Sequence, residues 1–165
     1  TKTNSYRLET FQAADFGFLG YADSDEEVVF YRRPDRAHTV DSEFDVDGLD
    51  QLPRVDIAPA YAGADGLVIK ALAQAGVDGL VAAGLGSGGS PPPFMAALKE
   101  VSDAGLPVVI ATQTGSGRVM QTRRFTEDGY IVADNLTPKK ARILLMLALE
   151  KTKDKAEIQR MMLAY

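Results

Sequence analysis

Residues 78–101 constrain the fold of this chain more than any other stretch. An apolar run from Gly79 to Leu85 ends in a loop rich in glycine and serine, prolines follow, and apolar side chains then recur at helical spacing. Strand, loop and helix in this order form the unit that α/β proteins repeat. The loop glycines are Gly84, Gly86, Gly88 and Gly89. We expect them to allow a tight turn and to present bare N–H groups at the carboxyl edge of a sheet, where open α/β sheets bind ligands.

The same alternation continues from Pro53 to the last residue. Predicted strands lie at 55–58, 79–85, 107–113 and 130–133, and predicted helices begin at Asp65, Phe94, Thr137-Pro138 and Asp154. The expected apolar face of the first helix is Leu67, Val68, Ala71, Leu72 and Ala75. Repeated strand–helix units predict a parallel sheet with right-handed crossovers. We therefore predict the α/β class: a Rossmann-like three-layer sandwich with a short, mostly parallel sheet and helices on both faces.

Residues 1–54 differ in character from the rest of the chain. Aromatic residues cluster around Gly17 and Gly20, Glu27–Arg32 predicts a short strand, and the run from Asp41 to Asp50 predicts a loop. A segment of this kind is too thin to bury a core of its own. We predict an extended interdomain segment over 1–54 that packs against another domain, followed by an α/β domain over 55–165.

Composition narrows the classes of function. The chain has 165 residues, of which 45% are hydrophobic, and a net charge of −5, which argues against nucleic acid or an anionic membrane as partner. Without cysteine there is no thiol nucleophile and no thiolate metal site, and the single His38 cannot build a multi-histidine metal site. No signal peptide is visible, and the longest apolar run is too short to cross a bilayer. The compartment stays open between cytoplasm and periplasm.

The glycine loop also matches the G-x-G-x-x-G dinucleotide fingerprint in a literal sense. In that fingerprint the helix opens within the glycines, whereas here Ser90–Pro93 delays it. The next predicted strand ends in Thr112 and Gln113, so it offers no acid for a ribose hydroxyl. Dinucleotide binding is therefore disfavoured, and a glycine turn that binds no ligand stays open as an alternative.

Several motifs occur together in an order that resembles bacterial L-asparaginases of the asparaginase/glutaminase family. They are Thr1–Asn4, Thr10-Phe11, Gly17–Gly20, Phe44–Val46, Leu52–Val55, Gly79–Gly84, Asn135–Leu145, Lys151–Asp154, Ile158-Gln159 and Tyr165. The likeness covers nearly the whole chain but only the C-terminal part of such an enzyme. It implies a larger N-terminal catalytic domain upstream of Thr1, which carries the threonine nucleophile. Residues 1–165 contain no T-G-G-T motif. We therefore expect none of the family's catalytic residues among them.

For this C-terminal part the resemblance implies a supporting role in the hydrolysis of L-asparagine to L-aspartate and ammonia. It implies a homo-oligomer, an intimate dimer and a tetramer, in which the glycine loop lines the neighbouring subunit's site. The substrate-binding residues it implies are Ser87, Gly88, Gly89 and Ser90. The family's Asn or Ser falls at Gly89 by spacing, and the acid that the family supplies after the third strand has no counterpart in 120–125. Neither a cofactor nor a metal is implied.

The rival interpretation is a non-catalytic α/β module that binds an amino acid or another subunit, and the departures at Gly89 and Thr122 favour it. Neither Ser87 nor Ser90 has a base beside it in sequence, so neither is supported as a nucleophile. Tyr61 is expected either to line the crevice at the carboxyl edge or to pack. Arg118 is expected at the surface, and His38 is expected to be structural.

Overall fold

The computed structural model describes residues 1–165, which form two compact units, Thr1–Ser42 and Glu43–Tyr165. In the first unit β1 (Gly20–Ala22) and β2 (Val28–Phe30) pair as an antiparallel hairpin, and a 3-10 turn follows at Thr39–Asp41. The strand predicted within 27–32 is confirmed as β2. Turns and bends make up much of the remainder, which matches the glycine-rich and polar sequence.

A four-stranded parallel sheet organises the second unit. Its strands are β3 (Val55–Pro59), β4 (Gly79–Gly84), β5 (Val108–Thr112) and β6 (Ile131–Val132), in the spatial order β3-β4-β5-β6. Leu80 lies opposite Asp56 on one side and Val108 on the other. Every residue of β4 and β5 is buried, as their continuous apolar runs predict for strands covered on both faces.

Helices cover both faces of this sheet. They are α1 (Leu67–Gln74), α2 (Pro92–Asp103), α3 (Arg123–Glu127), α4 (Pro138–Lys151) and α5 (Lys155–Ala164). Because side chains alternate along a strand, Leu80 and Ala82 join one core with α1 and α2, whereas Val81 joins a second core with α4 and α5. The predicted α/β sandwich of three layers is confirmed.

Local sequence signals explain several helix boundaries. Asp154 is the N-cap of α5 and accepts a hydrogen bond from the Glu157 backbone nitrogen at 2.9 Å, as the capping-box pattern predicts. Pro138 occupies the first turn of α4 directly after the N-cap Thr137. Gly76 follows α1 with φ +74°, the left-handed conformation that commonly ends a helix.

The prediction for the apolar face of α1 is wrong except at Leu72. Ile69 is fully buried, and Leu72 and Ala73 pack against the same core, whereas Leu67 and Val68 are exposed by 72% and 42%. The helix is apolar nearly all round, so its periodicity does not determine which side faces the sheet. The predicted apolar face is therefore largely an uncovered surface of this chain.

Two smaller features also differ from the predictions. The Asp65 carboxylate accepts a hydrogen bond from the Leu67 backbone nitrogen at 2.9 Å, but Gly66 is the N-cap of α1. The short helix α3 was not predicted, because one turn and a half gives too little periodicity to detect. It is capped by Thr122, whose hydroxyl accepts a hydrogen bond from the Phe125 backbone nitrogen.

The compact units divide after Ser42, and residues that follow pack on the second unit. The Glu43 backbone nitrogen donates a hydrogen bond to the Tyr165 hydroxyl at 2.7 Å, and the ring centroids of Phe44 and Tyr165 lie 4.9 Å apart. The boundary predicted at residue 54 concerns packing on another domain, and it stays a prediction. None of the helices combines the length and apolar character that a bilayer crossing requires.

Candidate functional site at the carboxyl edge of the sheet

The glycine loop after β4 is a tight, self-bonded turn. The Leu85 nitrogen donates to the Gly89 carbonyl oxygen at 2.7 Å, and the nitrogens of Gly88 and Gly89 donate to the Leu85 oxygen at 3.1 and 2.8 Å. Gly86 and Gly88 have φ values of +51° and +94°, a region that side-chain-bearing residues rarely adopt. The loop shape therefore needs glycine at these two positions.

Close packing explains a further part of the glycine pattern. A Cβ on Gly88 would lie 2.6 Å from the Ile110 Cγ2 atom, and one on Gly84 would lie 2.5 Å from the Gly88 carbonyl carbon. Gly89 differs, because its φ lies outside the left-handed region and a Cβ there would meet only the Leu85 oxygen, at 3.5 Å. Gly89 is thus the loop glycine at which a side chain fits without strain.

The four residues predicted to line a neighbouring site occupy different environments. Ser87 and Gly89 are exposed, whereas Gly88 is buried. The hydroxyl oxygen of Ser90 is buried and has no hydrogen-bond partner. Ser87 therefore carries the exposed hydroxyl of this loop, and the role of the four residues stays a prediction.

The expectation that the loop presents bare N–H groups needs correction. The amides of Leu85, Gly88 and Gly89 are used inside the turn, because the two ends of the loop pair with each other. The backbone nitrogens of Gly86, Ser87 and Ser90 make no hydrogen bond within the chain. Any main-chain donors that the loop offers to another molecule therefore come from these three residues.

The start of α2 is poorly suited to bind a phosphate. Pro91 is the N-cap, and Pro92 and Pro93 open the helix, so all three lack the N–H group that would face an anion. Helix N-termini bind phosphates through such groups. This geometry agrees with the sequence argument against a dinucleotide.

Gln113, directly after β5, joins the ends of three strands, and no role in the site was predicted for it. Its side-chain Nε2 donates to the backbone oxygens of Ala60 and Ala83 at 2.6 and 2.7 Å. Its backbone nitrogen donates to the Gly84 oxygen at 2.9 Å, where the glycine loop begins. One feature of the sequence could have indicated Gln113: it is a polar residue directly after a buried strand, at the edge where parallel strands end.

Charged side chains beyond Gln113 are engaged with one another. The Arg118 Nε atom lies 2.9 Å from an Asp134 carboxylate oxygen, and the Arg123 Nε atom lies 2.6 Å from Glu127. Arg118 is exposed, as predicted. Thr122 uses its hydroxyl to cap α3. No group of three or more His, Asp or Glu side chains lies close enough to hold a metal ion.

Exposed apolar side chains follow strands at the edge of the sheet where the glycine loop lies. Tyr61, Leu67, Leu85 and Met120 follow β3, β4 and β5, and we call these four residues the apolar rim. Their exposed fractions are 57%, 72%, 47% and 56%. Tyr61 is exposed and is not packed in the core, and a position lining a crevice stays a prediction. Grouped apolar exposure of this kind marks surfaces that contact other molecules.

The sheet order provides no topological switch point at this edge. Strands β3 to β6 follow one another in space as they do in sequence, so the order never reverses. In open α/β sheets the ligand crevice forms where the order reverses and neighbouring connections diverge. A site at this edge therefore needs a second surface to enclose it.

The residues with shifted pKa values lie away from the glycine loop. Burial, followed by the charge of Asp128, raises the pKa of Tyr130 to about 12. Hydrogen bonding to Arg160 lowers the pKa of the Glu43 carboxyl below its usual value. Both groups stabilise the scaffold through their contacts with its helices.

Comparisons with known proteins identify relatives for the whole chain. L-asparaginase 2 of Escherichia coli K12 is 38% identical over 100% of this chain and 48% of the relative, and a glutaminase-asparaginase of Pseudomonas fluorescens is 39% identical over 100% and 46%. The crystal structure of a probable cytoplasmic L-asparaginase from Campylobacter jejuni superposes with a TM-score of 0.95 at 41% identity, covering 100% of this chain and 52% of the other. The chain thus spans about half the length of these relatives.

The family model for the glutaminase/asparaginase C-terminal domain matches residues 54–162, which include the parallel sheet, the glycine loop and both layers of helices. The predicted resemblance is therefore confirmed. The chain belongs to the asparaginase/glutaminase family and contains its C-terminal domain.

Proposed function

We propose that this chain is the C-terminal half of an L-asparaginase, and that the whole enzyme hydrolyses the side-chain amide of L-asparagine to L-aspartate and ammonia. A threonine in the N-terminal half, outside residues 1–165, forms the acyl intermediate. The relatives named L-asparaginase or glutaminase-asparaginase support this proposal, because each is about twice as long as this chain. Glutamine is a second substrate to test, since one relative's name includes it.

The role of this chain in that enzyme is to form a subunit interface and one wall of a neighbouring active site. The apolar rim is the observation that carries this proposal, since its exposed side chains follow strands at the edge where the glycine loop lies and where the strand order does not reverse. A second copy covers the rim in an intimate dimer, and two dimers form a tetramer. Ser87, Gly88, Gly89 and Ser90 lie at the boundary of the neighbour's pocket.

The N-terminal unit supports a separate contact with the catalytic domain. Its large apolar side chains are widely exposed, among them Leu8 at 99% and Tyr31 at 72%. A segment with so little buried apolar surface is marginal alone. We infer that residues 1–54 pack on the N-terminal catalytic domain.

Activity measurements on two polypeptides test the proposal. The 165-residue chain and the full-length enzyme are assayed for ammonia release from asparagine and from glutamine. We expect activity from the full-length enzyme and none from the chain alone, because the nucleophile lies in the other half. Ammonia release by the chain alone at the rate of the whole enzyme would contradict this division of roles.

The interface is tested in the full-length enzyme with Leu85→Asp. A buried carboxylate without a partner is costly, so we expect subunit dissociation in analytical ultracentrifugation together with loss of activity. Ile143→Asp is the matched control, because Ile143 is 49% exposed on α4 and lies outside the apolar rim. Equal dissociation by both variants would show that the rim is not the specific interface.

A non-catalytic amino-acid-binding module is the second candidate. Gly89 has no side chain, and the Thr122 hydroxyl caps α3, so neither position offers a side-chain group to a neighbouring site. Calorimetric titration of the 165-residue chain with aspartate separates the two candidates. Tight binding by the chain alone, with an inactive full-length protein, favours the module.

A further inference from the structure

Aspartate directly precedes glycine at four places in this chain: Asp47-Gly48, Asp65-Gly66, Asp78-Gly79 and Asp128-Gly129. In such a pair the glycine nitrogen can attack the carboxyl carbon of the aspartate side chain, because glycine has no side chain that shields its nitrogen. The five-membered succinimide ring closes only where the backbone can rotate and the carboxyl group can turn towards the next residue. The structure therefore decides which of the four pairs can react.

Hydrogen bonds restrain two of the pairs at the reacting atoms. The Gly129 nitrogen donates to the Thr126 oxygen at 3.0 Å, so the attacking atom is already used at the end of α3. The Asp78 Oδ2 atom accepts a hydrogen bond from the Arg54 backbone nitrogen at 2.7 Å, and Gly79 is buried in β4. Ring closure at either pair requires local opening of a secondary-structure element.

The pair at the start of α1 is also restrained. The Asp65 Oδ1 atom accepts a hydrogen bond from the Leu67 backbone nitrogen at 2.9 Å, which holds the carboxylate towards the helix. Gly66 packs closely against α2, because a Cβ atom added to it would lie 2.5 Å from the Ala97 Cβ atom. Rotation about this glycine therefore disturbs the contact between the two helices.

Asp47 and Gly48 lack these restraints. Both are exposed, and they are the central residues of a turn in which the Leu49 nitrogen donates to the Val46 oxygen at 3.3 Å. Neither the Asp47 carboxylate nor the Gly48 nitrogen makes a hydrogen bond within the chain. The Asp47 nitrogen donates to the Asp45 carboxylate at 2.9 Å, but that atom takes no part in ring closure. A Cβ atom added to Gly48 would meet nothing within 4 Å, so the turn has room to rotate.

We propose that Asp47 is a site of spontaneous isomerisation in the folded protein, through a succinimide with Gly48. The Gly48 nitrogen forms a bond to the Asp47 side-chain carboxyl carbon, and the carboxyl OH leaves with the amide proton as water. Water then adds to the main-chain carbonyl carbon of Asp47, and the bond from that carbon to the Gly48 nitrogen breaks. The product is an isoaspartyl link of unchanged mass, in which the main chain runs through the side-chain carbons.

The isomerised turn lies between two anchored points of the chain. Before it, the rings of Phe44 and Tyr165 pack with their centroids 4.9 Å apart, and after it the Arg54 nitrogen is bonded to Asp78. An isoaspartyl link adds one carbon to the main chain between these anchors and leaves both contacts in place. We therefore expect the isomerised protein to stay folded with an unchanged Tm.

Oxygen labelling of the full-length enzyme tests the proposal. The folded enzyme is incubated in a mildly acidic buffer made with water labelled with oxygen-18, then digested in ordinary water, and the four Asp-Gly peptides are compared by mass spectrometry. Each passage through a succinimide introduces one oxygen atom from the water. We expect the Asp47-Gly48 peptide to gain label roughly tenfold faster or more than the other three, because those pairs must first open locally.

Unfolded enzyme and three variants complete the test. In guanidinium chloride all four peptides should gain label at comparable rates, which separates the effect of structure from that of sequence. Asp47→Asn should react faster, because ammonia leaves instead of water, and Asp47→Glu should lose the label, because a six-membered ring closes far more slowly. Asp128→Glu is the matched control and should leave labelling at Asp47 unchanged.

Equal labelling of the four pairs in the folded enzyme overturns the assignment, as does labelling at Asp47 no faster than at the restrained pairs. Persistence of the label at position 47 in Asp47→Glu also overturns it. No step uses the hydrolytic activity of the enzyme, so this inference holds or fails independently of the proposed function.

Discussion

Alanine substitution along the glycine loop gives a graded test of the loop geometry. Gly88→Ala places a side chain at φ +94° and a Cβ atom 2.6 Å from Ile110 Cγ2. The left-handed backbone costs about 1–2 kcal/mol, and overpacking of a core costs about 1–3 kcal/mol. We therefore expect the free energy of unfolding to fall by about 2–5 kcal/mol. A loss of about 3 kcal/mol lowers Tm by about 6–12 °C in a protein of this size.

Two neighbouring glycines provide matched controls for this variant. Gly86 has φ +51° but nothing within 4 Å of its added Cβ, so Gly86→Ala should lose only the backbone part, about 1–2 kcal/mol. Gly89 has neither the strained φ nor the close contact, and Gly89→Ala should leave stability unchanged or raise it by up to about 1 kcal/mol through the unfolded state. Urea unfolding of the three variants measures these differences. Equal losses for Gly88→Ala and Gly89→Ala would refute this account of the loop.

Three further predictions concern the scaffold. Glu43→Gln should lower the free energy of unfolding above pH 4.5 by about 0.2–1 kcal/mol, as for an exposed ion pair. The difference from the unaltered protein should vanish as the pH falls through the lowered Glu43 pKa, and urea unfolding across pH measures it. Leu145→Ala should cost about 2–5 kcal/mol because Leu145 is fully buried, whereas Ile143→Ala should cost less, as measured by thermal unfolding. Tyr130→Phe should lose stability less steeply than the unaltered protein between pH 10 and 12, because the unfolded tyrosine ionises there while the folded Tyr130 stays neutral.

The order of the elements could be predicted because local signals and burial agreed. The continuous apolar run of β5 indicates a strand covered on both faces, and the Thr137-Pro138 and Asp154 signals mark helix starts that the structure confirms. The α1 face could not be predicted, because Leu67 and Ile69 are both apolar, and only packing against the sheet distinguishes them. Sequence patterns do not report which of two apolar faces a tertiary contact will cover.

The site was harder to predict because its important contacts are between distant residues. Gln113 bonds Ala60 and Ala83, which are separated from it by 53 and 30 positions, so no local motif indicates the contact. The glycines are visible in the sequence, but the contacts that require glycine at these positions are not. Gly88 is required by the Ile110 side chain of the next strand, and its amide is used inside the loop.

These contacts change what the glycine loop can contribute to chemistry. A loop whose amides were free could hold an anion through several donors. Here the amides of Leu85, Gly88 and Gly89 are used inside the turn, the prolines of α2 supply no donors, and a fixed polar atom beside the loop is an acceptor on Gln113. An edge built in this way suits a cationic donor group better than a phosphate.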